Sequence, residues 1–295
     1  MIRSKKAFGL GLVAVVGLVG AGELFARSIL GLGDPPLTIR DPEIEYMFKP
    51  GTYERFGNRA YFNQHSMRSP PYQPDANLKV LVLGDSVING GALTDQDELA
   101  TELLRNSLPE GSWVGNVSAG SWGPANMSAY LQRHGTFDAD YIFVVLSSHD
   151  LNDVPTYAED LGDDLPETAP VSALYEGAYR YLPRYLPNWL KNSAPSEPTD
   201  MIAEKSDGKD ELLELVEILK SSGPEVHFFL HPTSDEIQNG RSAEGQYLKD
   251  LLSSSGADYT EMALDSANFR DSIHINAKGQ RAYARAFGRA LLSRH

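Results

Sequence analysis

Ser86, Asp271 and His274 have the residue types of a nucleophile, an orienting carboxylate and a general base. A serine hydroxyl is a weak nucleophile until a neighbouring base takes its proton. That base works best when a carboxylate fixes its ring and stabilises its charged form. Asp271 and His274 stand three apart in "RDSIHIN", so one loop can deliver both. Singly, each has a plainer use, because Ser often caps a helix and Asp or His before a helix is commonly a cap or a solvated side chain. If the three meet, the chemistry is acyl transfer through a covalent intermediate. Catalytic efficiency should then fall on acidification, since His274 must be neutral to accept the serine proton.

The elements that must position these residues are visible in the apolar pattern. In "LVLGDSVINGG", residues 81 to 91, a continuous apolar run ends at Gly84 and then shows Ser86. Val80 to Leu83 read as a parallel strand covered on both faces, and ligands in open α/β sheets bind at the carboxyl ends of such strands. Asp85 is expected to anchor the turn, and Gly84 with Gly90 and Gly91 to permit close backbone approach. From Leu78 onward strand-like and helix-like segments alternate, which predicts a doubly wound α/β sheet. The expected strands are 78–84, 112–118, 140–147, 225–231 and 257–263, with "DYIFVVLSS" central. Helical spacing puts Leu212, Leu215, Val216 and Leu219 on one face, and Tyr283, Ala286, Phe287 and Ala290 on another. Residues 31–77 read as a linker and irregular arm. Residues 155–205 read as an acidic, Pro-rich and aromatic insertion, either a lid or a surface elaboration.

Composition removes several function classes. With 26 Lys+Arg against 40 Asp+Glu the net charge is -14, which disfavours nucleic acid as a partner. The chain has no cysteine, so disulfides and thiolate chemistry are excluded. The pairs Asp138/Asp140 and Asp163/Asp164 lack a complementary ligand set and read as solvated acids, so no metal is expected. His231 ends the fourth strand, on the rim of the proposed site, whereas His65, His134, His227 and His295 show no partner spacing. At the N-terminus, Arg3, Lys5 and Lys6 precede an uncharged run from Ala7 to Gly22. That is an export signal. It is expected to stay as a membrane anchor over residues 1–30, the alternative being cleavage after Val19-Gly20-Ala21. Positive charge before the segment places the remainder outside the cytoplasm, in the periplasm of a Gram-negative cell.

The chain resembles the SGNH hydrolases, also called GDSL esterases and lipases, over about residues 78 to 292. "GDSV", 84–87, is similar to the block whose Ser is the nucleophile and whose own N–H helps form the oxyanion hole. "DSIH", 271–274, is similar to the Asp-x-x-His block. "NVSAGSWG", 116–123, resembles the block that lends a glycine N–H, a role carried here to Gly120 with Gly123 in reserve. The resemblance implies an α/β fold, a three-layer α/β/α sandwich on a five-stranded parallel sheet of flavodoxin-like type, ester hydrolysis and no cofactor or metal.

One block departs from the pattern. Where the family usually reads Gly-x-Asn-Asp, this chain reads "SSHD", 147–150, and His149 falls on the Asn. That amide is an oxyanion donor, and loss of such a donor costs about 10² to 10³ in rate. An imidazole N–H at His149 is the expected replacement, with Asn152 the reserve. The alternative is a structural His149 and an impaired enzyme. The resulting expectation is an anchored, extracytoplasmic serine esterase acting on acylated carbohydrate or a small ester. A polysaccharide O-acetyltransferase using the same triad, and a catalytically weak carbohydrate-binding or assembly protein, are the alternatives.

Overall fold

Seven-residue strands with largely apolar, buried interiors form the centre of the molecule, seen here in a computed structural model. It describes residues 2–157, 161–162, 165–182 and 208–293. Asp163, Asp164, His295 and residues 183–205 of the expected insertion lie outside them. The chain begins with helix α1 (Ile2–Leu30), followed by two antiparallel hairpins, β1 (Thr38–Asp41) with β2 (Glu45–Phe48), and β3 (Gly51–Arg55) with β4 (Asn58–Phe62). Then come β5 (Leu78–Gly84), α2 (Ser86–Asn89), α3 (Ala100–Ser107), β6 (Ser112–Ser118), α4 (Pro124–His134) and β7 (Tyr141–Ser147). A tight turn over Ser148–Leu151 follows, then α5 (Ala173–Glu176), α6 (Lys209–Ser221), β8 (Glu225–His231), α7 (Ser234–Asn239), α8 (Ala243–Ser255), β9 (Tyr259–Glu261) and α9 (Ala277–Leu292).

Five strands form one parallel sheet in the order β6-β5-β7-β8-β9, with β7 at its centre. Alternation of side chains sends Leu81, Leu83, Ile142, Val144 and Leu146 to one face and Val80, Val82, Phe143 and Val145 to the other. The first face is covered by Met127 and Tyr130 of α4, Leu212, Leu215, Val216 and Leu219 of α6, and Leu248 and Leu252 of α8. On the second lie Leu104 of α3 and Tyr283, Ala286, Phe287 and Ala290 of α9. This is the three-layer α/β/α sandwich, and both expected helix faces are its covering layers. The sheet grows from β5 to β6 in one direction and from β7 onward in the other, so the ends of β5 and β7 bound a crevice where ligands bind in such folds.

The arm read as irregular is partly regular. Its strands are only four or five residues long and bury alternate positions at most, too faint a pattern to see in sequence. Tyr53, Ala60 and Phe62 make a small core of their own, with the Phe48 and Phe62 rings stacked 4.3 Å apart. The arm also grips the sheet's carboxyl edge. Arg68, fully buried, donates to the carbonyls of Asn89, Gly91 and Thr94, thereby holding the loop that follows α2. Residues 165–182 pack on this arm and on the end of α1, through Thr38 on Leu165 and Arg55 on Glu176. The last strand, β9, is shorter than the expected 257–263.

Candidate active site

The strand-to-helix turn at the end of β5 is built around Asp85. Its Oδ1 accepts the N–H of Val87 at 2.9 Å, so the carboxylate caps α2 while Ser86 begins it. Gly84 lets α2 pack closely on the strand end, since a Cβ there would sit 3.1 Å from Ile88 Cγ1. Gly90 closes α2 with φ +76°.

The Ser86 hydroxyl meets a base from the other end of the chain. His274 Nε2 lies 2.9 Å from Ser86 Oγ, and His274 Nδ1 lies 2.9 Å from Asp271 Oδ2. A carboxylate only accepts, so Nδ1 carries the proton and Nε2 presents its lone pair to the serine. Asp271 is held in turn by the N–H groups of Ile273 and His274, at 3.0 and 2.7 Å. Burial would raise its pKa, but those two N–H groups and the His274 ring hold it below the usual carboxylate range. Ser86, Asp271 and His274 are thus brought together as one hydrogen-bonded triad.

A second histidine supports this loop. His231 is buried at the end of β8, with Nε2 2.9 Å from the Ile273 carbonyl and Nδ1 2.9 Å from the Tyr283 hydroxyl. The carbonyl only accepts, so Nε2–H donates to it and Nδ1 accepts from Tyr283. Burial lowers the His231 pKa to about 4, keeping it neutral as this bonding requires. The sequence marks His231 as a rim residue; its part is to hold the loop carrying Asp271 and His274.

Of the glycines considered for the oxyanion hole, Gly123 is already used. Its N–H donates to Asn126 Oδ1 at 2.9 Å. Gly120 has its N–H uncommitted among the described residues, while its carbonyl accepts from the buried hydroxyl of Tyr46. Tyr46 belongs to β2 and was not marked as a functional residue by its sequence surroundings. The N–H of Ser86 opens the first turn of α2, where no intrahelical partner exists.

His149 sits in the turn after β7 and faces carboxylates. Its Nε2 lies 3.2 Å from Asp85 Oδ2, 3.3 Å from Asp150 Oδ1 and 3.5 Å from Asp153 Oδ2, and its Nδ1 bonds the Ser147 hydroxyl. Desolvation opposes the charged ring, but Asp150, Asp85 and Asp153 outweigh it and push the pKa to about 10. The imidazolium offsets burial at Asp85, whose carboxyl stays below its ordinary value. Asp150, fully buried beside Asp85, is driven well up, and burial raises Asp153 to about 6. Both ring nitrogens of His149 therefore already have oxygen neighbours. The Asn152 side chain makes no hydrogen bond to the described residues. Asp85, His149 and Asp150 each place one ligand-capable atom within 4.8 Å of the others, so they are the described groups with the spacing to share a cation.

Among the described residues, the other histidines and the Asp138/Asp140 pair make structural contacts. His65 packs edge-on against His134 and Phe137, and His227 bonds Thr260. Asp138 accepts from Tyr72, and Asp140 from the N–H of Lys79.

No family model and no curated protein matches the chain. Among solved structures it is similar to Est24, a carbohydrate acetylesterase from Sinorhizobium meliloti, at 14% identity, covering 74% of this chain and 100% of that one with a TM-score of 0.42. An aryl esterase of M. smegmatis is similar at 15% identity, covering 73% and 99% with a TM-score of 0.41. So is TesA, at 13% identity, covering 72% and 98% with a TM-score of 0.44. By its own sheet order, and by the blocks that bring Ser86, Asp271 and His274 to one edge of that sheet, the chain has the three-layer α/β/α fold that its resemblance to the SGNH hydrolases implies.

Proposed function

We propose that the protein is a membrane-anchored, extracytoplasmic serine esterase that removes acetyl or other short acyl groups from carbohydrate. The observation that carries the esterase reading is the unbroken path from Asp271 through His274 to the Ser86 hydroxyl. In this reading Ser86 Oγ attacks the ester carbonyl carbon as His274 Nε2 takes its proton. The oxyanion is met by the N–H groups of Ser86 and Gly120. His274 then protonates the leaving alkoxide, and water, activated by the same ring, resolves the acyl-enzyme.

A third oxyanion donor comes from the turn after β7. Hydrogen bonding favours Asn152, whose amide is uncommitted, over His149, which is held by Asp85 and Ser147. His149 then acts chiefly as the counter-charge that keeps Asp85 ionised as the cap of α2.

The location rests on α1. Gly9–Leu30 has a mean hydropathy of 1.9 over its best window, only 6% of which is buried. Its 22 residues are about 33 Å long at 1.5 Å each, of which the turns from Glu23 onward pack on residues 171–174 at the domain side and the run before Glu23 enters the bilayer. The basic residues before it favour retention of the amino end in the cytoplasm. Acylated envelope or exported polysaccharides are the substrate class that this location makes accessible.

The test incubates the detergent-purified full chain with a chromogenic acetyl ester, with and without an oligosaccharide acceptor. Free acetate that is lost in Ser86→Ala supports the esterase. Acetylated sugar would replace hydrolysis by transfer, and neither product would remove the enzymatic reading.

A further inference from the structure

The apolar side chains of α1 are not the only ones left without cover. Immediately beside its carboxyl-terminal end, residues 171–182 expose Val171 at 98%, Tyr175 at 67% and Leu182 at 50%. Leu174 and Tyr179 are each 38% exposed, and the Tyr175 and Tyr179 rings stack 5.9 Å apart. The segment is two-sided. Ala173 and Glu176 point inward and are buried, Ala173 against Ala26 and Leu32.

Its placement is fixed by a polar clamp to α1. The Glu23 carboxylate accepts from the N–H groups of Ala173 and Leu174 and from the Ser172 hydroxyl, at 2.8 to 2.9 Å. It thereby satisfies the free donors that open α5. Arg27, paired with Glu23, donates to the Val171 carbonyl. The side chain of Leu174 lies against Gly22, 3.4 Å from where a Cβ there would stand. On the inner side Glu176 is locked to Arg55 in a buried pair, with Tyr181 bonded to the same guanidinium. Turning the outward face away from α1 therefore breaks the Glu23 clamp, and lifting the segment off the arm breaks the buried Arg55–Glu176 pair.

We propose that this face, Val171 with Leu174, Tyr175, Tyr179 and Leu182, is seated in the lipid interface around the exit of α1 and holds the catalytic domain against the bilayer. The inference rests on the reading of α1 as a retained anchor. Its occupant is the bilayer because the patch is held against α1 at Gly22 and Glu23, and Leu18, Leu24 and Phe25 of that helix are each more than half exposed. Its chemistry also fits, since tyrosines collect at headgroup depth with an apolar body inward and a hydroxyl in water. Two signals, one spanning and one interfacial, fix orientation as well as location.

The absence of cysteine makes the test direct. Single variants Val13→Cys, Val171→Cys, Tyr175→Cys and Ser254→Cys of the full chain are labelled with an environment-sensitive fluorophore and reconstituted in phosphatidylcholine/phosphatidylglycerol vesicles containing nitroxide lipids. All four positions are exposed, so the fold should tolerate them, and retained ester turnover checks this. Val13 reports the anchor and Ser254 the water-facing domain. A face buried about 5 to 10 Å into the headgroup boundary should give at Val171 and Tyr175 at least about twofold more quenching than at Ser254. Quenching at Val13 with Val171 and Tyr175 matching Ser254 overturns the proposal and leaves the anchor standing. No quenching at Val13 overturns the anchor, and the proposal with it.

Discussion

His274 Nε2 stands 2.9 Å from Ser86 Oγ although 188 residues separate them in sequence. The contact joins the first strand of the sheet to the loop before the last helix, and it depends on both ends being held. Arg68 holds the loop after Ser86, and His231 holds the loop before His274.

His231 gives the stability a pH dependence of defined sign. Its folded pKa of about 4 lies below the ordinary 6.5, so its contribution is present above 6.5 and is lost as pH falls towards 4. One such proton is worth up to about 1.4 kcal/mol per pH unit, so about 3 kcal/mol should disappear across the window. Denaturant unfolding between these limits measures it. A His231→Gln variant should show a shallower decline, and an equal slope in both proteins would remove His231 as the cause.

The turn after β7 offers a kinetic comparison. Asn152→Ala should lower kcat by about 10² to 10³ with little change in KM, the mark of a donor that acts on the transition state. His149→Ala should instead cost stability, at the low end of about 3 to 5 kcal/mol, because it leaves the Asp85 carboxylate without a counter-charge. Steady-state kinetics and unfolding on both variants decide the matter. A stable His149→Ala with crippled kcat, beside an active Asn152→Ala, would return the donor role to the imidazole.

Tyr46→Phe removes the hydroxyl that fixes the Gly120 peptide. Losing one such hydrogen bond, about 1 to 1.5 kcal/mol, should lower kcat roughly tenfold while KM stays near wild type. Unchanged turnover would mean that Gly120 is held by its turn alone.

Much of this was legible in the sequence because the signals are local. Apolar cores flanked by polar residues mark strands buried on both faces, and β5, β6 and β8 span the expected residues 78–84, 112–118 and 225–231. The triad could be read because Ser86 follows a strand and Asp271 and His274 share one short loop. Tyr46, Arg68 and the bond between His231 and Ile273 could not, because each acts through a backbone group distant in the chain. The environment of His149 was hidden for the same reason: Asp85 and Asp153 reach it only once β5 and β7 lie side by side. The hairpins of the arm were missed because four-residue strands carry too little alternation, and their aromatic residues resemble those of a loose linker.

The central claim, that Ser86 is a nucleophile activated by His274, is tested most directly by covalent capture. The full chain is treated with a fluorophosphonate, whose phosphorus accepts the serine oxygen as fluoride leaves, and the modified peptide is located by mass spectrometry. One adduct is predicted, on Ser86, formed orders of magnitude more slowly in His274→Ala, while Ser86→Ala remains unlabelled and loses ester turnover by about 10⁴ or more. A protein that hydrolyses esters yet carries no adduct on Ser86, or a Ser86→Ala variant that keeps more than about a tenth of wild-type activity, would contradict the account.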